Sequence, residues 1–424
     1  MSNIHQQILQ AAIQAGYLHE ECPLAAFVDT DGIAKTISSL HQSFPEHFIH
    51  TFAAKANTMS RALGLVKAHG MGCEVASPGE LEQALRAGFE PETIVYDEPA
   101  KTRKVLEKVL GLGIGLNIDN FQEFERVRGL VGAAGGRSRI GFRINPQVGS
   151  GKISAMSTAT ATSKFGFALE DPGNRAAIIE AYRSNPWLTS LHTHVGSQGC
   201  SLELMISGIR KVVDLAEAIN SAVGRQQVEV IDIGGGLPVN FDSEEVRPTF
   251  GEYASALHSA VPELFSGKYI GKTEFGRSIF AKNGFIVSRI EYTKVSGGRR
   301  IALSHAGAQV ATRTVFMPEH WKIRLSVFDS RGHAKAGNEE LQDVAGPLCF
   351  AGDMIGTERL LAPIEPGDYV VLHDTGAYYF SNPFYYNALC APAVYGAEGN
   401  SPDSVSFSVW RPRQIVDDML AVIG

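Results

Sequence analysis

Between Phe48 and Phe285, short apolar runs alternate with segments whose apolar residues recur at helical spacing. Eight runs have the length and the β-branched or aromatic content of buried strands: FIHTFAAKA, MGCEVAS, TIVYDEP, IGLNIDN, RIGFRINP, LTSLHTHVGS, VEVIDIGGG and YIGKTEFGR. Five amphipathic segments between them predict helices: PGELEQALRAG, KTRKVLEKVLG, FQEFERVRGLV, LELMISGIRKVVDLAEAINSAV and FGEYASALHSAVPELF. Eight strands alternating with helices predict an α/β fold, a parallel (β/α)8 barrel of the TIM type.

After Phe285 the pattern changes to alternating β-type runs: FIVSRIEYTKV, RRIALSHA, WKIRLSVFDS, GDYVVLHDTGAYYF and SVSFSVWRP. These runs predict a β-rich C-terminal domain, like a sandwich or a small barrel, completed by the N-terminal segment near PLAAFVDTDG. The predicted domains are therefore a barrel over residues 45–285 and a β domain made of residues 1–44 plus 286–424.

Composition narrows the class of protein. A chain of 424 residues exceeds the size of a single core, and 44% hydrophobic with 20% charged residues is ordinary for a globular protein. The net charge of −7 gives no basic footprint for nucleic acid or an anionic membrane, and no run is long enough to span a bilayer. Five scattered cysteines without metal-ligand spacing predict reduced thiols in a cytoplasmic protein, and we expect no metal site.

Residues that can take part in catalysis or ligand binding lie at the C-terminal ends of the predicted strands, where TIM barrels carry their active sites. Lys55 ends the first strand, His194 and Ser197 follow the sixth, and Glu274 with Arg277 ends the eighth. A charged side chain among apolar residues is costly unless it is paired or chemically engaged. Lys55 therefore either reaches solvent along its apolar stem or takes part in chemistry.

The glycine run IDIGGGLP follows the seventh strand. Gly234, Gly235 and Gly236 allow backbone N–H groups to approach a phosphate, which commonly binds in this part of a TIM barrel, although a tight turn with positive φ is the structural alternative. The segment from Gly149 to Thr162 is too long for an ordinary βα turn and predicts a mobile loop over the same face.

The histidines after the sixth strand and the charged residues after the eighth each allow more than one functional interpretation. His192 and His194 face the same side of a strand, but a metal site would need a further ligand nearby in sequence, so stacking on a flat ring or a buried structural role are the alternatives. Glu274 and Arg277 form either a salt bridge or a pair that binds a ring nitrogen and a carboxylate.

Two segments of the β-rich region complete the candidates. In GPLCFAGDMI, Cys349 is either an inert buried thiol or a proton donor, and in HDTGAYYF, Tyr378 either packs in a core or binds a phosphate oxygen. A lysine at a barrel mouth, a phosphate cradle, a stacking residue and an acid for a ring nitrogen together indicate a pyridoxal 5′-phosphate site, with Lys55 as the Schiff-base lysine.

The chain also resembles the barrel-type pyridoxal-phosphate decarboxylases, the fold-type III group containing diaminopimelate and ornithine decarboxylases. The matching motifs occur in family order: FAAKAN, GCEVASPGELEQALRAG, SKFG, HTHVGSQG, DIGGGLP, EFGR, GPLCFAGD and DTGAY. The resemblance implies two catalytic residues, Lys55 and Cys349. It implies cofactor contacts from Lys55, His194, Ser197, Gly234, Gly235, Gly236, Glu274, Gly276 and Tyr378. It implies substrate contacts from Arg277, Arg313, Phe350, Asp353 and Tyr378.

The resemblance also implies a homodimer with shared active sites, in which Cys349 reaches the site from the partner subunit and helps to protonate the carbanion. One position departs from the family: diaminopimelate decarboxylases carry glutamate after the catalytic cysteine, and this chain carries Phe350. A phenylalanine cannot pair with a distal ammonium group except weakly through its ring face. We therefore expect a decarboxylase of an amino acid or an amino-acid conjugate, as in siderophore or other specialised biosynthesis.

Two alternatives stay open at this point. One is diaminopimelate decarboxylase proper, and the other is a non-catalytic regulatory homologue like the antizyme inhibitors. The alanine-racemase branch of the fold fits less well, because it places arginine where this chain has Glu274, and a carboxylate at the ring nitrogen makes the stronger electron sink.

Overall fold

The computed structural model describes residues 3–131, 136–399 and 401–424. Within them eighteen strands form, at β1 Leu24–Asp29, β2 Phe48–Ala53, β3 Gly72–Val75, β4 Ile94–Tyr96, β5 Gly115–Ile118, β6 Ile140–Asn145, β7 Phe167–Ala168, β8 Leu188–His192, β9 Val230–Asp232, β10 Ile270–Phe275, β11 Gly284–Ser296, β12 Arg299–Ser304, β13 Leu325–Phe328, β14 Glu340–Ala345, β15 Met354–Leu361, β16 Tyr369–Leu372, β17 Ala393–Glu398 and β18 Ser406–Arg411.

The helices of the described ranges are α1 Asn3–Gln14, α2 Thr30–Ser43, α3 Ser60–Ala68, α4 Pro78–Arg86, α5 Arg103–Leu112, α6 Phe121–Val131, α7 Asn174–Ser184, α8 Leu202–Val223, α9 Phe250–Ala260, α10 Arg277–Phe280, α11 Ala308–Phe316 and α12 Val416–Ile423.

The predicted barrel is confirmed. Parallel pairing runs in the order β5-β4-β3-β2-β10-β9-β8-β6, and the pairing of β5 with β6 closes the sheet. These eight strands are the eight apolar runs predicted from the sequence, and the two-residue β7 adds to β6 outside the closed ring. The C-terminal ends of the ring strands therefore carry Lys55, His194, the glycine run and Glu274 at one end of the barrel.

Local sequence signals explain the barrel helices. The side chain of Ser201 accepts the N–H of Leu204 at the start of α8, and Gly224 ends that helix in the left-handed region at φ +75°. At α4, Ser77 is the corresponding N-cap and a proline follows it. Helices α2, α3 and α7 were not predicted, because their short apolar stripes are interrupted by serine, glycine and charged residues.

The second compact unit is mostly sheet, as predicted. Its strands run in the order β15-β14-β12-β11-β1-β17-β18, with β16 joining β11 to β13. Strand β1 pairs antiparallel with β11 and parallel with β17, so the N-terminal segment does complete this sheet. Helix α1 adds Ile8, Leu9 and Ala12 to a core that contains Phe27 and Phe285. The sequence patterns did not predict α1, α11 and α12, which also belong to this unit.

The chain divides into two compact units. One consists of Met1–Lys35, Asn240–Val246 and Ile279–Gly424, and the other of Thr36–Val239 and Arg247–Ser278. The functional domain boundaries at 45 and 285 stay a prediction. Among the described helices, none combines the length and the apolar composition that crossing a bilayer requires.

Candidate active site

Lys55 lies directly after strand β2, in the single 3-10 turn Ala54–Ala56. Its Nζ is 2.5 Å from Oε2 of Glu74, whose side chain is almost fully buried on the neighbouring strand β3. The lysine side chain itself is 42% exposed. The buried carboxylate thus compensates the charge of an amine that still reaches the barrel mouth. This ion pair explains how a lysine is tolerated among apolar residues.

A line of buried polar groups crosses the barrel interior next to this lysine. Arg143 Nη1 lies 2.6 Å from Asp97 Oδ2, and His192 lies between two carboxylates, with Nδ1 at 3.9 Å from Asp97 Oδ1 and Nε2 at 3.3 Å from Glu274 Oε2. Burial opposes ionisation of Asp97, but Arg143 outweighs it and holds the pKa of that carboxyl well below its usual range. Burial lowers the pKa of His192, so its imidazole is neutral.

Glu274 is the acid of this line with the most perturbed ionisation. Burial, reinforced by repulsion from Glu74 and Asp97, raises the pKa of Glu274 to about 8. Its Oε1 is buried and makes no hydrogen bond among the described residues. A protonated ring nitrogen is a donor that fits this acceptor and stabilises its negative charge, so the residues present fit a pyridine-type cofactor.

The same groups bring three possible metal ligands together. Asp97, His192 and Glu274 place ligand atoms within 4.8 Å of one another, although His192 has no carboxylate near it in sequence. The guanidinium of Arg143 already neutralises Asp97 at 2.6 Å, and a cation added beside it would be repelled. The cluster is therefore better suited to positioning Glu274 than to holding a metal ion.

His194 follows strand β8 at the barrel mouth. Its Nδ1 accepts the backbone N–H of Gly235 at 3.2 Å, which requires a lone pair on that nitrogen. Burial, followed by the nearby charge of Lys55, lowers the pKa of His194 well below its usual range. The structure thus holds a neutral, flat imidazole in a fixed orientation, as stacking on a planar ring requires.

The glycine run is explained in part by the backbone around it. Gly234 and Gly236 have φ of +68° and +97°, and a Cβ on Gly235 would lie 2.1 Å from the carbonyl oxygen of Glu274. The N–H of Gly234 donates to Asp232 Oδ1 at 2.9 Å. Because the N–H groups of Gly234 and Gly235 are engaged within the barrel, the amide of Gly236 is the one in the run best suited to an outside ligand.

Two further predicted contacts lie on the same barrel end. The half-buried Ser197 donates its N–H to Met156 O at 2.9 Å, and its hydroxyl makes no hydrogen bond with any residue that the structure describes. Gly276 packs so closely that a Cβ would lie 2.8 Å from the Cβ of Ala56, and Arg277 is buried directly after it at the start of α10.

The loop from Gly149 to Thr162 is hydrogen-bonded along its length. Lys152 N–H donates to Gly199 O at 2.9 Å, and Thr158 N–H donates to Val195 O at 3.0 Å. These bonds hold the loop against the segment that begins with His194, so any motion of the loop has to break them.

Arg313, in the β-rich unit, has an aromatic environment. Its guanidinium carbon lies 4.3 Å from the ring centroid of Tyr378 and 5.2 Å from that of Trp321. Burial lowers the pKa of Arg313, and its Nη1 makes no hydrogen bond among the described residues. Tyr378 has φ +67°, a strained conformation for a tyrosine. This guanidinium is suited to a carboxylate ligand.

Cys349 is exposed, and its N–H donates to Asn387 Oδ1 at 2.8 Å. Asp353, predicted to contact substrate, is buried. Its Oδ1 accepts the N–H of Ala308 at 2.7 Å and its Oδ2 accepts that of Leu348 at 2.8 Å. That geometry favours a role in shaping the segment around Cys349 over direct contact with a substrate.

Phe350 belongs to an aromatic cluster within the β-rich unit. Its ring stacks on Phe316 with centroids 5.5 Å apart and an interplanar angle of 4°. Tyr386 lies edge-on to Phe350 at 5.6 Å, and Phe384 contacts both Phe316 and Tyr386. Phe316 and Tyr386 are exposed, so the cluster presents an apolar surface.

Sequence reasoning missed Glu74, Asp97 and Arg143. Each is a charged residue in or at the end of an otherwise apolar strand run, and that signal was present in MGCEVAS, TIVYDEP and RIGFRINP. Their meeting depends on closure of the barrel, because they come from three different strands.

The fold and the barrel-end site define a pyridoxal-phosphate enzyme of the TIM-barrel type. A family model, the pyridoxal binding domain of pyridoxal-dependent decarboxylases, matches residues 30–281. The chain belongs to the pyridoxal-dependent decarboxylase family, and it is a PLP-dependent carboxy-lyase that acts on an amino-acid-type substrate.

The chain is similar in sequence and in structure to named decarboxylases. The chain is 27% identical to a diaminopimelate decarboxylase of Aquifex aeolicus, over 84% of this chain and 82% of that one. Its structure is similar to that of diaminopimelate decarboxylase from Helicobacter pylori complexed with L-lysine, with a TM-score of 0.83, 26% identity, and coverage of 97% and 98%. A lysine/ornithine decarboxylase from Vibrio vulnificus, complexed with putrescine, shares the fold at 20% identity and a TM-score of 0.77, covering 93% of this chain and 99% of that one.

Proposed function

We propose that this enzyme removes the α-carboxylate, as carbon dioxide, from an amino acid or amino-acid conjugate other than ordinary meso-diaminopimelate, in a cytoplasmic pathway such as siderophore or other specialised biosynthesis. The observation that carries the proposal is Phe350, stacked on Phe316 at the position where the diaminopimelate enzymes have a substrate-binding glutamate. An aromatic cluster at this position favours a substrate whose far end is apolar or bulky.

The barrel residues support retained chemistry. Pyridoxal phosphate, when bound, supplies an electron sink for the bonding pair left behind as the carboxylate departs. Lys55 supplies the amine that would hold the cofactor, with Glu74 stabilising its cationic form. Glu274 would keep the ring nitrogen protonated, and the neutral imidazole of His194 would stack on the ring. Ser197, Gly276 and the amide of Gly236 would hold the phosphate.

The β-rich unit supports a changed specificity. Diaminopimelate carries a distal ammonium group, which has no carboxylate partner at Phe350 and gains only a weak interaction with a ring face. Arg313, with its guanidinium on the face of Tyr378, is a site for a carboxylate on the substrate, and Arg277 would bind a second acidic group. The preferred substrate thus has a far end that is apolar, bulky or carboxylate-bearing.

Cys349 is proposed as the group that helps to protonate the carbanion. Its exposure suits a thiol that acts outside its own unit, and the hydrogen bond from its N–H to Asn387 fixes the segment that carries it. We propose that the enzyme is a homodimer with shared active sites, in which Cys349 of one subunit completes the site of the other.

Carbon dioxide release from a panel of amino acids and amino-acid conjugates, with cofactor added, tests this function. We expect release from a compound with an apolar or carboxylate-bearing far end, and turnover of meso-diaminopimelate at least roughly tenfold slower by kcat/KM. Efficient turnover of meso-diaminopimelate would contradict the specificity. An absence of the cofactor's yellow absorbance band would instead support a regulatory homologue.

A further inference from the structure

A cavity lies at the opposite end of the barrel from Lys55. Its volume is about 360 Å³, within the range of small-ligand sites. Many of its lining residues come from the N-terminal ends of the ring strands and the segments before them, such as Gly115 of β5, Val230 of β9 and Arg139 just before β6, and the cavity extends inward to Lys272 and Asp232. The barrel residues proposed to contact the cofactor lie at the C-terminal ends of the ring strands, so this cavity is a separate feature of the barrel.

Small side chains form part of this layer of the barrel interior and leave room for the cavity. TIM barrels normally fill the layer with bulky branched residues. Here the smaller Thr51, Gly115 and Ser190 line the cavity, together with branched residues such as Val95 and Val230. A Cβ on Gly115 would lie 3.2 Å from the carbonyl oxygen of Ile94, so the backbone leaves little room for a larger residue at that position.

Buried polar atoms line the cavity without satisfying one another. Asn117 and Asp232 are each at most 4% exposed, and within the described ranges Asn117 Nδ2 and Asp232 Oδ2 make no hydrogen bond. Lys272 Nζ lies 3.5 Å from Asp232 Oδ2, longer than a good hydrogen bond. Buried groups of this kind are costly unless a ligand or water pairs with them.

The charges of the lining favour an anion. Arg137 and Arg139 are exposed and form no ion pair with any residue that the structure describes, and Lys272 adds a third cation deeper in the cavity. Only two carboxylates, Glu92 and Asp232, oppose them in the lining. The planar guanidinium groups suit a carboxylate, which they can bind through two parallel hydrogen bonds.

We propose that this cavity binds a small carboxylate metabolite, with one carboxylate held by Arg137 and Arg139 and the rest of the molecule reaching Asn117 and Lys272. The site is distinct from the one where decarboxylation takes place. Asp232 lies between the two, because its other oxygen, Oδ1, accepts the N–H of Gly234 in the glycine run.

Calorimetric titration of the cofactor-loaded protein with succinate tests this site. We expect saturable binding, weakened at least about tenfold by the double substitution Arg137→Gln with Arg139→Gln. Both arginines are exposed, so the variant is expected to fold, and circular dichroism with thermal unfolding checks this. Arg175→Gln, an exposed arginine on α7, is the matched control and should leave the affinity unchanged.

Arg277→Gln separates this cavity from the catalytic end, where succinate could also bind. If the affinity for succinate falls in Arg277→Gln but not in the double variant, the anion binds in the active site and the proposal is overturned. The absence of saturable heat up to about 10 mM succinate would also overturn it, leaving a cavity filled by water. Neither result depends on turnover, so the proposed substrate specificity is tested separately.

Discussion

The candidate functional residues of the barrel and those of the β-rich unit differ in the kind of side chain and in burial. In the barrel, the groups around Lys55 are buried ionisable residues that constrain one another, from Glu74 to the line Arg143, Asp97 and His192 that ends at Glu274. In the β-rich unit the candidate residues are aromatic rings and the guanidinium of Arg313, with Phe350 stacked on the exposed Phe316. A change within the barrel line leaves a buried charge unpaired, whereas a ring at the surface can be exchanged at little cost. This difference supports the proposal that the cofactor chemistry is retained and the substrate specificity is altered.

The largest effect is expected from Lys55→Ala. Loss of the amine should lower carbon dioxide release on the order of a thousandfold or more, because the cofactor can no longer be held covalently. The measurement is kcat on whichever substrate the panel identifies. Lys104→Ala, an exposed lysine on α5, is the matched control and should keep normal activity.

Arg143→Met tests whether the buried line is constrained as described. It should destabilise the protein by roughly 3–5 kcal/mol, because Asp97 is left as an uncompensated buried charge. Chemical denaturation measures this loss. Arg103→Met, which breaks an exposed pair with Glu107, should change stability by less than about 1 kcal/mol. Equal effects of the two variants would contradict the contrast between barrel and surface.

Glu274→Gln tests, through the pH dependence of stability, whether the barrel acid is perturbed by its buried surroundings. The folded protein without cofactor raises the pKa of Glu274 from 4.5 to about 8, so it binds this proton more tightly than the unfolded chain. The resulting stability is fully present below pH 4.5 and is lost as pH rises through about 8. Unfolding of the cofactor-free wild type should therefore become easier over this window by on the order of 2 kcal/mol or more, and the Gln variant should show a flatter profile. Parallel profiles would show that Glu274 is not perturbed.

Much of the fold could be predicted because the sequence patterns are local. Each ring strand is a short apolar run, and α8 has an apolar stripe bounded by Ser201 and Gly224. Helices α3 and α11 were missed because their stripes are short, and α11 is kinked at Ala311 within an otherwise β-type region. Tertiary contacts rather than intrinsic propensity stabilise such helices.

The candidate site was predictable only where one residue carries the signal. Lys55, His194 and Glu274 stand at strand ends and were identified there. Glu74 and Arg143 were not, because their partners lie on other strands and the pairing exists only once those strands have come together in the barrel. Asp353 shows the converse: its motif predicted a ligand contact, but both of its oxygens accept backbone N–H groups.

The most direct test of the central claim is carbon dioxide release from meso-diaminopimelate by Phe350→Glu compared with wild type. If the barrel retains the chemistry and Phe350 blocks recognition of the distal ammonium, the variant should gain at least about tenfold in kcat/KM on this substrate. Phe384→Glu, another ring of the same cluster, is the matched control and should give no such gain. Rapid wild-type turnover of meso-diaminopimelate, unchanged or reduced in Phe350→Glu, would contradict the account.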